Sequence, residues 1–176
     1  IEASSGILFN HESELRGREF VTRKITSQLA EIINGSDRVI QLGNLNSVRD
    51  WGYAPDFVKA MALIINNKPN DYVVATNKIT SVREFLRLSA IASGMRPEFE
   101  GEGLNEKCFD KNTNKLICEV NKDYYRPSDV VFLRGDYGKI KKELGWSPST
   151  DVETIIEKMT KYDLDAFSGK PRNFGI

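Results

Sequence analysis

Arginine recurs in three short polar stretches of this sequence, each time beside residues with other chemistry. The first is Phe9-Asn10-His11-Glu12-Ser13, followed by Arg16 and Arg18; the second is Arg49-Asp50-Trp51-Gly52; the third is Tyr124-Tyr125-Arg126-Pro127-Ser128-Asp129, ahead of Arg134-Gly135-Asp136. A guanidinium group is a planar fork that binds two oxygens at once and keeps its charge at any relevant pH, which suits phosphate. Two such arginines from separate loops would clamp a diphosphate, and a carboxylate such as Asp129 would accept from ribose hydroxyls.

Each of these residues also has a structural reading. Arg49 beside Asp50 could be a surface ion pair of little worth, and Arg126 before Pro127 could decorate a turn. His11 is the only histidine of the chain, and a lone histidine is more often a hydrogen-bonded structural residue than a catalyst. Arg23 and Lys24 would then be the solvated face of a helix, and Trp51 core packing. Gly101-Glu102-Gly103 reads as a turn, since no strand-to-helix transition surrounds it.

Positioning these stretches requires a scaffold of alternating strands and helices. Gly6-Ile7-Leu8-Phe9-Asn10 has the apolar pattern of a buried parallel strand. Phe20, Val21, Ile25, Leu29, Ile32 and Ile33 recur at helical spacing up to Asn34-Gly35, and Val39 to Leu42 is a short strand. Pro55 suits a first helical turn, with Phe57, Val58, Met61, Ile64 and Ile65 as the buried face. Asp71 to Thr76 reads as a strand. Ser81 with Glu84 makes a capping box before a helix that Gly94 stops. This order favours an α/β architecture.

Beyond Glu98 the pattern changes to two extended stretches around the polar turn 110–115, expected as a hairpin laid over the edge of the domain. Asp136 is placed to cap a short helix ending at Gly145, and Thr150 with Glu153 to open another. The tail from Ser168 is expected to fray.

Bulk properties set the outer limits. In 176 residues, 28% of them charged, Lys+Arg 25 balances Asp+Glu 25, so no basic excess points to nucleic acid or an anionic membrane, and a bound anion must meet a local cluster of cations. Apolar runs such as Met61 to Ile65 fall far short of the roughly 20 residues that cross a bilayer. The amino terminus lacks the regions of a signal peptide, so a cytoplasmic location is the default expectation. Cys108 and Cys118 stand apart from any metal-spaced partner and are expected to be reduced thiols. A strand like Gly6 to Asn10 needs partners on both sides, so the natural chain is expected to begin before Ile1.

The literal words narrow this further. "GILFNHES", "RGREFVTRKIT", "LGNLNSVRDWGYAPDFVKAM", "YVVAT", "SVREF", "YYRPSDV" and "LGWSP" occur in an order and spacing that resemble the carboxy-terminal half of the GDP-mannose 4,6-dehydratase family, within the extended short-chain dehydrogenase/reductases. R-P-x-D alone is shared by related epimerases and dehydratases, but "FNHES" together with "LGNL...RDWG" is specific. The resemblance covers nearly the whole chain. It implies an α/β fold: the last part of an NAD(P)-binding Rossmann domain, from segments near 6–16 and 49–76, plus the smaller substrate-binding domain, from 17–48 and 77–170.

The implied chemistry uses NADP. Hydride leaves C4 of the hexose, water is lost across C5 and C6, and the hydride returns at C6, while the protein orients the sugar and moves protons. Matched position by position, Asn10 contacts the sugar-phosphate, His11 and Arg16 contact NADP, and Arg49 and Arg126 meet the diphosphate. Asp129 stands where the family usually has glutamate, at the nucleotide ribose, and Lys24 matches a basic position lining the nucleotide pocket. The implied partners are a GDP-sugar and further copies of the chain, as a dimer or tetramer.

Some residues depart from the family. Glu14 and Leu15 replace a proline and an arginine in the loop before Arg16, Tyr53 a histidine, and Pro55 a lysine. The glycine-rich cofactor loop, the Y-x-x-x-K motif and the threonine and glutamate that act as acid and base are expected upstream of Ile1, so this chain alone should be inactive. Two other readings share the same residues: a dehydratase of another GDP-sugar such as a GDP-heptose, and a non-catalytic nucleotide-binding module.

Overall fold

A computed structural model of the chain describes residues 2–125 and 132–169. Its elements run β1 (Ser5–Leu8), β2 (Asn10–Glu12), α1 (Val21–Ile33), β3 (Ile40–Leu42), β4 (Val48–Arg49), β5 (Trp51–Tyr53), α2 (Ala54–Ile65) and β6 (Asp71–Val74). They continue as β7 (Thr80–Ser81), α3 (Val82–Ala92), β8 (Pro97–Glu100), β9 (Lys107–Asp110), β10 (Lys115–Val120), α4 (Gly138–Leu144) and α5 (Val152–Phe167). The chain divides into two units, one of Ile1–Ser13, Val48–Thr80 and Phe132–Ile155, the other of Glu14–Ser47, Ser81–Val131 and Ile156–Ile176.

In the first unit the apolar run near the amino terminus changes partner midway. β1 pairs in parallel with β6, from Ser5 opposite Asp71 to Leu8 opposite Val74. The Phe9 amide still reaches the Val74 carbonyl at 3.0 Å, and β2 then pairs in parallel with β5. The core is built by Phe57, Ala60 and Ile64 of α2 against Tyr72, Val74, Ile140 and Trp146. Trp146 stands edge-on to Phe57, ring centres 6.1 Å apart, and its indole N–H, which must be satisfied when buried, donates to the Asp56 carbonyl at 3.0 Å.

Two sequence expectations need correcting here. β1 is not buried: Ile7 is 54% exposed, and β6 is its one strand partner among the described residues. On α2, Phe57 and Ile64 face the core but Val58, Met61 and Ile65 are exposed. The helix carries apolar residues on more than one face, so the spacing marks all of them while the core takes those at i, i+3 and i+7.

The second unit packs α1 and α3 with a four-stranded sheet in the order β3-β10-β9-β8. Ile25, Leu29 and Ala30 of α1, Phe85 and Leu86 of α3, and Ile40, Cys108, Ile117 and Cys118 of the sheet are fully buried. β8, β9 and β10 form an antiparallel meander, and β10 also pairs in parallel with β3, Cys118 lying opposite Ile40. The expected hairpin therefore does not lie over an edge; it extends the sheet that β3 begins. Asp110 fixes its turn by accepting from the Arg96 amide, the Asn112 amide and the Thr113 hydroxyl, with Asn114 left-handed at φ 57°.

The helix ends agree in part with the sequence. Ser81 caps α3 by accepting from the Glu84 amide at 3.0 Å, while the Glu84 carboxylate turns to Arg87 instead of completing the box. Gly145 ends α4 in the left-handed conformation at φ 70°. α5 is opened by Asp151, which accepts from the Thr154 amide at 2.9 Å, not by Thr150, whose amide donates to Asp56. The tail at 170–176 lies outside the described residues. Among the described residues no helix is long and apolar enough to cross a membrane, and no group of three or more His, Cys, Asp or Glu could hold a metal.

Candidate functional site

The first unit carries Asn10 and His11 on β2, which pairs with β5, and Arg49 on β4, just ahead of β5 in the chain. In the β2–β5 pair Asn10 lies opposite Trp51 and His11 opposite Gly52, so Arg49 enters two residues ahead of Asn10's partner. Gly52 leaves room for the Phe57 ring, which a Cβ there would meet at 2.2 Å. His11 stacks on that same ring, centres 5.0 Å apart and planes inclined by 23°. Its Nδ1 donates to the Phe9 carbonyl at 2.9 Å, which sets the direction of the ring. The imidazole is held by structure and aimed at the same time.

Asp50 organises the loop that carries Arg49. It is fully buried, so it is no member of a surface ion pair. One carboxylate oxygen accepts from the Thr76 hydroxyl at 2.6 Å and the Thr76 amide at 2.8 Å; the other accepts from the Asn77 amide at 2.9 Å and the Gly135 amide at 3.1 Å. A carboxylate has about four lone-pair directions, and these donors use them. Arg49 donates from Nη1 to the Val48 carbonyl at 2.8 Å. Trp51 is 3% exposed and serves as packing.

The second unit holds Arg16 and Lys24. The Arg16 guanidinium lies 3.6 Å above the Phe20 ring, an arrangement that keeps the charge while restricting its direction. Lys24 donates to the Gln41 carbonyl at 2.6 Å and lies 4.3 Å from the centre of the Tyr124 ring. Burial lowers its pKa from the ordinary lysine value. Gly43 makes this possible, since a Cβ there would lie 2.3 Å from the Tyr124 carbonyl oxygen. The segment before Arg126 is thus held beside the end of β3, where the Asn121 amide also donates to the Leu42 carbonyl at 2.8 Å. Arg126 and Asp129 themselves lie outside the described residues.

Neither Arg23 nor Lys24 belongs to a solvated face. Arg23 is 6% exposed and bonded to Asp163, a residue that sequence reasoning passes over. The available signal is a carboxylate four residues after Met159, on the same stripe of α5 as Ile155 and Ile156. A charge on a buried stripe demands a buried partner. The partners of Asp50 are a threonine and two loop amides, which no local pattern marks.

A Y-x-x-x-K spacing, expected only upstream of Ile1, does occur here at Tyr137 and Lys141. Tyr137 packs edge-on to Trp146, centres 5.9 Å apart, and immediately precedes the seven-residue α4. The Lys141 ammonium lies 6.0 Å from the Tyr137 ring centre. The tyrosine is partly buried and packs against the core, so the spacing has a packing explanation.

Comparison with known proteins adds a family and a fold. A sequence model of the family described as GDP-mannose 4,6 dehydratase matches residues 1–159. The chain is 44% identical over 170 residues to a GDP-mannose 4,6-dehydratase of Sinorhizobium fredii, covering 96% of this chain and 48% of that protein. It is 42% identical to the GDP-mannose 4,6 dehydratase of Homo sapiens, with 96% and 46% covered. The chain thus spans about half the length of the curated relatives it matches.

Two solved structures share the fold. RMD from Pseudomonas aeruginosa, complexed with NADPH, superposes with a TM-score of 0.71 at 17% identity, over 92% of this chain and 48% of that one. The UDP-glucose 4-epimerase of Thermus thermophilus, complexed with NAD, gives 0.69 at 20% identity, over 96% and 47%. The architecture is α/β and is shared with about half of each of these two proteins.

Proposed function

This chain belongs to the GDP-mannose 4,6 dehydratase family, and from that premise we propose that it supplies the substrate-binding part of an enzyme converting GDP-mannose to GDP-4-keto-6-deoxymannose. Its main support in the structure is the β2–β5 pairing, which sets Asn10 beside the strand that follows Arg49 while buried Asp50 locks the loop between. A locked loop aims a guanidinium with little further loss of conformational entropy on binding.

In this proposal Arg49 and Arg126 hold the diphosphate, Asn10 contacts the sugar-phosphate, Lys24 lines the nucleotide pocket and Asp129 accepts from the ribose. His11 and Arg16 would contact NADP: a guanidinium steadied on an aromatic face suits the cofactor's phosphates, and an imidazole held by the Phe9 carbonyl and the Phe57 ring offers a contact of fixed position. NADP, when bound, supplies the acceptor and donor of hydride. The chain's own residues bind and orient the sugar-nucleotide. The acid and base that move protons are assigned outside this chain, which alone is proposed to be inactive. Action in the cytoplasm and assembly into a dimer or tetramer are part of the same proposal.

The test is turnover by the complete parent protein. With NADP bound and GDP-mannose supplied, mass spectrometry should show a product lighter by one water. A strong preference for GDP-heptose in competition would shift the assignment to another GDP-sugar. GDP binding without any product would leave a nucleotide-binding module instead.

A further inference from the structure

Arg23 and Asp163 form a buried ion pair with an unusual division of labour. The Arg23 side chain is 8% exposed and that of Asp163 0%. Nε of Arg23 donates to both carboxylate oxygens, at 2.8 and 3.1 Å, and Nη2 donates to one of them at 2.7 Å. The Thr26 hydroxyl donates to the same carboxylate at 2.7 Å. Nη1 points the other way and donates to two backbone carbonyls, those of Glu14 and of Arg16, the latter at 3.0 Å. Thus one guanidinium ties a core carboxylate to the loop from which Arg16 projects.

We propose that Arg23, held by Asp163, is a positioning residue that sets the backbone of the Glu14–Arg16 loop and so fixes where Arg16 meets the cofactor. This rests on the assignment of Arg16 to NADP made above. The grip is on carbonyls, which every residue has, so it is indifferent to the side chains at 14 and 15. A lysine could not replace it: a single ammonium lacks the fork that serves the carboxylate and two carbonyls together.

The test compares wild type, Arg23→Lys and Thr26→Val in the complete parent protein, reading NADPH affinity, GDP affinity and amide hydrogen exchange. Arg23→Lys keeps a positive charge beside Asp163 and loses the double grip. NADPH affinity should fall about tenfold or more, GDP affinity should stay within about twofold, and the amides of residues 15–18 should exchange faster. Thr26→Val, which removes one donor to Asp163 and leaves Arg23 in place, should give a smaller change in the same direction and covers the case in which the lysine variant fails to fold. Unchanged NADPH affinity in both variants, with a wild type that binds, overturns the anchor alone. A wild type that does not bind NADPH overturns the cofactor assignment and this inference with it.

Discussion

Asp50 takes both the hydroxyl and the amide of Thr76 on a single carboxylate oxygen, at 2.6 and 2.8 Å, and leaves its second oxygen for the amides of Asn77 and Gly135. Three stretches of the first unit therefore meet at one buried charge. Asp50→Asn keeps the shape but turns an NH2 toward amide donors. It should cost about 3 kcal/mol of stability, measured by urea unfolding, and should weaken GDP binding because the Arg49 loop is released.

Gly43 should be intolerant of even one added carbon. Its Cβ would lie 2.3 Å from the Tyr124 carbonyl oxygen, a backbone atom that cannot step aside without moving residues 121–125. Gly43→Ala should cost about 1 to 3 kcal/mol and lower GDP affinity, read by thermal unfolding and calorimetry on the same sample.

Acid should loosen the first unit through Asp56. Burial pushes this carboxyl up, but hydrogen bonds from the Ser149 hydroxyl and amide and from Thr150 more than offset it and hold it below its ordinary range. A carboxylate with a lower pKa folded than unfolded contributes stability above the unfolded value, and that contribution is lost as pH falls from about 4 through the folded value. Ser149→Ala should remove about 1 kcal/mol and raise the acid-unfolding midpoint. Fluorescence of Trp146, which bonds to the Asp56 carbonyl, follows it directly.

The two thiols should be inert until the second unit opens. Cys108 and Cys118 face each other across β9 and β10, free and buried. Burial pushes Cys108 up to about 12 and raises Cys118 as well, so neither offers thiolate near neutral pH. Iodoacetamide at about pH 8 should label neither in the folded protein and both in denaturant.

How far the sequence could be read is clear from particular residues. Local signals agree with the structure: Ser81 caps α3, Gly145 stops α4, and Pro55 opens α2. What depends on distant partners does not. The periodicity of α2 marks Val58 and Ile65 as surely as Phe57, yet the core accepts only one face. Arg23 looks solvated until Asp163, 140 residues away, comes beside it. Within the candidate site, Asn10, His11 and Arg49 are marked by their wording, whereas Asp50's part follows from Thr76 and Gly135, which share no pattern with it. The register of β10 against β3 is likewise a tertiary fact that a hairpin signal does not contain.

Arg49 and Arg126 are proposed to grip a nucleotide diphosphate, and calorimetry of GDP with the complete parent protein tests that grip. Arg49→Ala and Arg126→Ala should each weaken GDP binding by about 2 to 4 kcal/mol, with the fold intact by circular dichroism. GDP affinity unchanged in both variants would rule out the clamp.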